Sequence, residues 1–146
     1  MAQWAGRGDN VVKSSICLVV IAGIALMAGF ARPQNKNVAL GVWGGEHVHL
    51  DVNSNSAKIE FDCAHGTIEG PLTVTANGEF SWKGTFARER GGPVTSNDEN
   101  SGEPAVYSGS INQETMKLTL RLQNAKDPLD TFVLTRGEDG HIRKCR

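Results

Sequence analysis

The sequence predicts an all-β fold, a small antiparallel up-and-down β-barrel, with a two-sheet β-sandwich as the alternative. Three observations carry this. After the first 31 residues, apolar side chains recur at period two and helical periodicity is absent. Turn-forming steps such as Asn53-Ser54-Asn55-Ser56 and Asn77-Gly78 separate the alternating runs at short intervals. Eight or nine short strands then share about 115 residues, and closing them into a barrel removes the exposed edges of an open sheet.

The first element is an export signal. Lys13 precedes the apolar run Ile16–Phe30, and small residues stand at Gly29 and Ala31. A basic start, an apolar middle and a small-x-small exit describe a signal peptide over residues 1–31, with cleavage after Ala31. The run of 15 apolar residues is shorter than the roughly 20 that cross a bilayer, so membrane contact is expected only through this segment while it is uncleaved. Cys17 opens the run instead of following it, which speaks against a lipid-anchored cysteine. Residues 32–40 read as a short linker and residues 41–146 as one barrel domain.

Export places the mature chain outside the cytoplasm, secreted or periplasmic. Its 13 basic and 15 acidic residues give a net charge of −2, which offers a polyanion no attraction, so no nucleic-acid partner is expected. Cys63 and Cys145 survive processing, and an even pair in an exported chain reads as a disulfide. Closing a loop of that length stabilises by about 4–5 kcal/mol in the chain-entropy model.

The strands follow in order. In Glu46–Val52 the apolar set Val48, Leu50 and Val52 alternates with His47, His49 and Asp51. In Ala57–Cys63 the set Ala57, Ile59, Phe61 and Cys63 alternates with Lys58, Glu60 and Asp62. A turn centred between Ser54 and Asn55 pairs Val52 with Ala57 and keeps both apolar sets on one face. A three-residue loop, Ala76–Gly78 with Gly78 left-handed, pairs Val74 with Phe80 and Leu72 with Trp82. Trp82 and Phe86 read as core. A hairpin around Gln113-Glu114 sets Ile111 against Met116 and Tyr107 against Leu120, with Met116, Leu118, Leu120 and Leu122 inward. Thr131–Thr135 and the region of Ile142 complete the set. Arg88–Pro104 is polar, rich in Gly and Pro and without alternation, a long loop of the kind that carries function or stays unstructured.

Polar chemistry concentrates in the first hairpin. Its register also sets Asp51 against Lys58, His49 against Glu60 and His47 against Asp62. Such pairs stabilise a sheet by about 0.2–1 kcal/mol each, which already accounts for them. A sharper reading adds His65, just past the strand: His47, His49, Asp62 and His65 could hold Zn or Cu, or form a pH-sensitive binding face. Glu46 shares the parity of Val48 and Leu50. It either reaches solvent at the barrel mouth or sits buried near Cys63 as a carboxylate that fixes a ligand. With Trp43, Arg88 and Arg90 it completes the candidate binding residues. The chain contains no Gly-x-Ser-x-Gly elbow, phosphate loop, HExxH or CxxC, so no catalytic residue is assigned. Asn97–Glu103 fails as an EF-hand loop, because Ser108 stands where the bidentate Glu belongs.

Two resemblances accompany this reading. Gly41-Val42-Trp43 resembles the opening of lipocalin- and avidin-type barrels, which implies an indole packed at the closed barrel end. Trp43–Val52 (WGGEHVHLDV), Ile59–Leu72 (IEFDCAHGTIEGPL) and Lys144-Cys145 together resemble a group of small exported bacterial proteins of unassigned activity. That resemblance implies a bacterial source and export, and it brings no catalytic residues. The expected function is non-catalytic binding, of a small apolar ligand inside the barrel or of a protein partner through the Arg88–Pro104 loop. A metal-dependent protein built on the histidines is the alternative. A protease-inhibitor-like barrel is a further one, by analogy of fold alone.

Overall fold

The computed structural model describes residues 34–89 and 102–145. The segment 1–31 read as an export signal, Arg90 and the middle of the Arg88–Pro104 loop lie outside them. Among the described residues ten strands are formed: β1 (Lys36–Asn37), β2 (Gly41–Gly45), β3 (Val48–Val52), β4 (Ser56–Phe61), β5 (Ala64–Glu69), β6 (Thr73–Val74), β7 (Glu79–Arg88), β8 (Glu103–Asn112), β9 (Thr115–Leu122) and β10 (Asp130–Arg136). Eight of them, β2-β3-β4-β5-β7-β8-β9-β10, close into a barrel, with β1 and β6 as a separate two-stranded sheet. Every barrel ladder is antiparallel, and each strand neighbours the previous barrel strand in the chain. This is up-and-down topology.

Alternation fills the barrel as the pattern requires. Val48, Leu50, Ala57, Ile59, Ile68, Tyr107, Met116, Leu118 and Leu134 are fully buried. The predicted registers hold: Val52 pairs with Ala57, His49 with Glu60, and Ile111 with Met116. Phe80 stacks on Trp82 with ring centroids 3.8 Å apart, and Phe61 packs against Phe86 and Phe132. Packing is close on the axis. The Tyr107 hydroxyl donates to the Thr85 carbonyl at 2.7 Å. A Cβ on Gly66 would run into both of these groups, so glycine is required where the ring crosses β5.

The structure departs from the expectations at several points. The Ala76–Gly78 loop forms, with Gly78 at φ 80 and the Gly78 amide donating to Thr75 O. The pairing beyond it does not, because β6 pairs with β1 and β5 takes the edge of β7, with Ile68 opposite Gly84. Gly70-Pro71 breaks the chain between β5 and β6, and proline supplies no ladder donor there. No strand forms around Ile142 among the described residues; the tail makes a single bridge at His141. His65 lies within β5, opposite Glu60, and not beyond the strand. Glu46 does not point toward the core: a two-residue tip, Glu46-His47, joins Gly45 to Val48, and His47 at φ 66 interrupts the parity. Lys36–Asn37 and buried Val38, from the stretch read as a linker, pack with the domain.

Candidate functional site

Two hairpin tips stand at the same end of the barrel, Glu46-His47 between β2 and β3 and Asp62-Cys63 between β4 and β5. In each the second residue takes the left-handed region, His47 at φ 66 and Cys63 at φ 56. That backbone is uncommon for residues with a Cβ and belongs to tight turns, as at Gln113 (φ 55) between β8 and β9. The first two tips also meet the C-terminal segment.

After β10 the chain turns at Gly137 and runs back alongside β2. Glu46 forms a parallel bridge with His141, in which the His47 amide donates to His141 O and the His141 amide to Gly45 O, both at 3.0 Å. The Arg143 amide donates to Asp62 Oδ1 at 2.7 Å, and Lys144 Nζ to Glu60 Oε2 at 2.9 Å. Cys145 and Cys63 end the path at disulfide distance, with Cα atoms 5.0 Å apart. A Cβ on Gly44 would collide with the backbone of Glu138–Gly140, and one on Gly140 with Val48 O. The Gly44-Gly45 step of the Trp43 motif is thus a seat for the tail.

Imidazoles and carboxylates cluster beneath and beside this segment. His47 Nδ1 lies 2.6 Å from Asp62 Oδ2, and its Nε2 is 3.6 Å from Glu46 Oε1. His141 Nδ1 is 3.5 Å from Glu46 Oε2. His49 and His65 flank Glu60 across β3 and β5, and His65 Nδ1 is 3.9 Å from Glu89 Oε1. Lys144 sits between two carboxylates, 2.9 Å from Glu60 and 4.0 Å from Glu89. The hydrogen bond from Lys144 lowers the Glu60 pKa, helped by the Lys144 charge and those of His49 and His65. The same contact raises that of Lys144. Asp62 is held below the usual carboxylate range, first by the Arg143 amide and then by His47. A surface depression of about 540 Å³, lined by Gly45, Glu46, Glu138, Asp139 and His141, opens beside the tip.

No protein-family model matches this chain, and no curated protein or solved structure is detectably similar to it. The site therefore rests on its own geometry.

That geometry sorts the expected residues. Glu46, His47, Asp62 and Cys63 come together at the two tips. Glu46 is the exposed member, with 62% of its side chain accessible, so it is not a buried ligand carboxylate. Among the described residues no group of three or more His, Cys, Asp or Glu side chains is arranged to hold a metal ion. His47 is engaged with Asp62 instead, while His49 and His65 share Glu60. Trp43 is 1% exposed in the core, its Nε1 donating to Ala39 O at 3.3 Å, which removes it from any outer binding surface. Arg88 is exposed at the end of β7, opposite Ala64. Sequence reasoning missed His141, Lys144 and Glu89. The signal for the first two was available: if Cys145 meets Cys63, the residues before it must cross the charged face of β4.

Proposed function

We propose that this protein is an exported, non-catalytic binding protein that engages a protein partner through its outer surface. The observation that carries the reading is the filled barrel axis. Leu50, Ile59, Ile68, Tyr107, Met116, Leu118, Leu120 and Leu134 occupy it, each with about 1% exposure or less. Lipid-carrying barrels keep a lined chamber of about 300–1,000 Å³ instead. The polar tip and its tail supply the functional groups that the interior lacks.

Export is part of the same proposal. The signal-like segment 1–31 and the disulfide-distance pair Cys63 and Cys145 both fit an oxidising compartment. N-terminal sequencing of the protein recovered from the periplasm or medium should start at Arg32. Retention of residues 1–31 would remove the cleavage reading, and absence of the protein from both fractions would remove the export reading.

The partner reading is tested by native mass spectrometry together with titration of a fatty acid and a fluorescent apolar dye. The purified protein should carry no stoichiometric apolar ligand and show no saturable uptake of either probe. A co-purifying lipid at one per chain would return the function to the barrel interior.

A further inference from the structure

The C-terminal segment is held as a bound peptide would be held. Its backbone lies against Gly44 and Val48, where a side chain would not fit, and His141 forms a two-hydrogen-bond bridge to the edge of β2. At that one bridge the hydrogen bonding is of the kind an extended peptide makes on a strand edge, while at Gly44 the segment lies over the sheet face where a side chain would point. β10 pairs with β2 only at Gly44 and Trp43, so at Glu46 the tail takes the place a neighbouring strand would have. The charges are complementary as well. The segment ends His-Ile-Arg-Lys-Cys-Arg, and it meets Glu46, Glu60, Asp62 and Glu89.

Two further facts bear on whether the segment can leave. Among the described residues every core side chain lies between Val38 and Leu134, so the tail contributes nothing to the packed interior. Its remaining contacts are a few backbone hydrogen bonds, the half-buried Ile142 and largely solvent-exposed polar groups, with His141 82% and Lys144 57% accessible. Contacts of that kind barely offset the chain entropy of an ordered segment. The covalent tie to Cys63 is what favours the closed arrangement.

We propose that this acidic face is a docking site for an extended basic peptide of a partner protein, filled in cis by the chain's own tail and vacated when the Cys63–Cys145 bridge is reduced. The inference rests on the reading that the outer surface binds a protein. Opening requires a dithiol reductant. Its thiolate attacks the exposed Cys145 sulfur, the S–S bond breaks, and Cys63 departs as a thiolate that takes up a proton. The second thiol of the reductant then displaces Cys145, leaving two protein thiols and an oxidised reductant.

The test titrates a fluorescent peptide, residues 140–146 with serine replacing its cysteine, into the mature protein. Three forms are compared: oxidised, reduced by a small dithiol, and Cys145→Ser. Binding to the two open forms should be saturable and at least about ten-fold tighter than to the oxidised form, and should weaken as salt rises. Adding Glu60→Gln and Asp62→Asn to Cys145→Ser should weaken it about five-fold or more. Hydrogen exchange at the His47, His141 and Arg143 amides should quicken on reduction while the Leu118 and Leu120 amides stay protected.

Equal binding to open and oxidised forms would overturn the proposal, as would equal binding of a peptide with Glu in place of its Arg and Lys. Loss of protection at Leu118 and Leu120 on reduction would do the same, by making the tail integral to the fold. Failure of the peptide to bind any form sinks the docking site alone, since the outer-surface reading stands or falls on the apolar-ligand titration.

Discussion

Tyr107 illustrates how one side chain constrains several others. Its hydroxyl is inside the barrel and satisfied by the Thr85 carbonyl at 2.7 Å, while the Thr67 amide turns to the Thr85 hydroxyl at 3.4 Å. Replacing Tyr107 with Phe leaves that carbonyl without its partner, and urea denaturation should show a loss of about 1–3 kcal/mol. Gly66→Ala forces a methyl group against the Tyr107 oxygen and should cost a similar amount, about 1–3 kcal/mol, by overpacking. A variant as stable as the parent would contradict the packing described. Burial also raises the pKa of Tyr107 above its ordinary 10.0. Only the unfolded chain then ionises as pH passes 10, so stability is intact below that value and declines above it. Tyr107 is the sole tyrosine, which makes tyrosinate absorbance a direct readout. It should appear together with alkaline unfolding and not as a separate titration near pH 10.

At the scale of elements, the tail and the two hairpin tips act as one unit. Asp62 and Glu60 both have lowered pKa values, through the Arg143 amide and the Lys144 ammonium respectively. Their contribution is therefore present above the ordinary values of 3.8 and 4.5 and is lost as pH falls through the lowered ones. The Arg143 amide resonance should follow Asp62 with a midpoint below 3.8; a midpoint at or above it would mean that the amide is not bound there. Gly140→Ala tests the seat from the other side. A Cβ at that position meets Val48 O, so the tail cannot lie flat and Cys145 cannot reach Cys63 as before. Oxidative refolding of that variant should leave more free thiol than the parent, as read by a thiol-reactive dye.

Across the whole molecule, seven ladders of five to eight residue pairs link the barrel strands, and the closing β2–β10 ladder has two. The Cys63–Cys145 pair spans a separation of 82 residues and ties the segment after β10 to the β4–β5 tip. Its reduction should lower stability by roughly 4 kcal/mol without unfolding the barrel, because the core ends at Leu134. A shift of the denaturation midpoint with a preserved cooperative transition is the expected record.

Much of this was legible in the residues. Period-two alternation assigned Val48, Leu50, Ala57 and Ile59 to the interior, since a strand's side chains have only two faces. With the alternation fixed, the Asn53–Ser56 turn left one register that kept those faces together, and it placed His49 opposite Glu60. The cysteine pair followed from its even count after residues 1–31 are set aside as an expected export signal. Other features depend on contacts between segments far apart in sequence. No local pattern could show that β5 takes the edge of β7 that β6 seemed suited to, because that outcome is a competition between two strands for one edge. Nor could parity place Glu46, because Glu46-His47 is a hairpin tip and His47 leaves the strand conformation there. From the residues alone come an all-β chain with a known inner face and a cysteine pair. The filled barrel and the tail over its acidic tip emerge only in three dimensions, because neighbouring strands decide how the inward side chains pack and the tail meets Asp62 and Cys63 from more than 80 residues away.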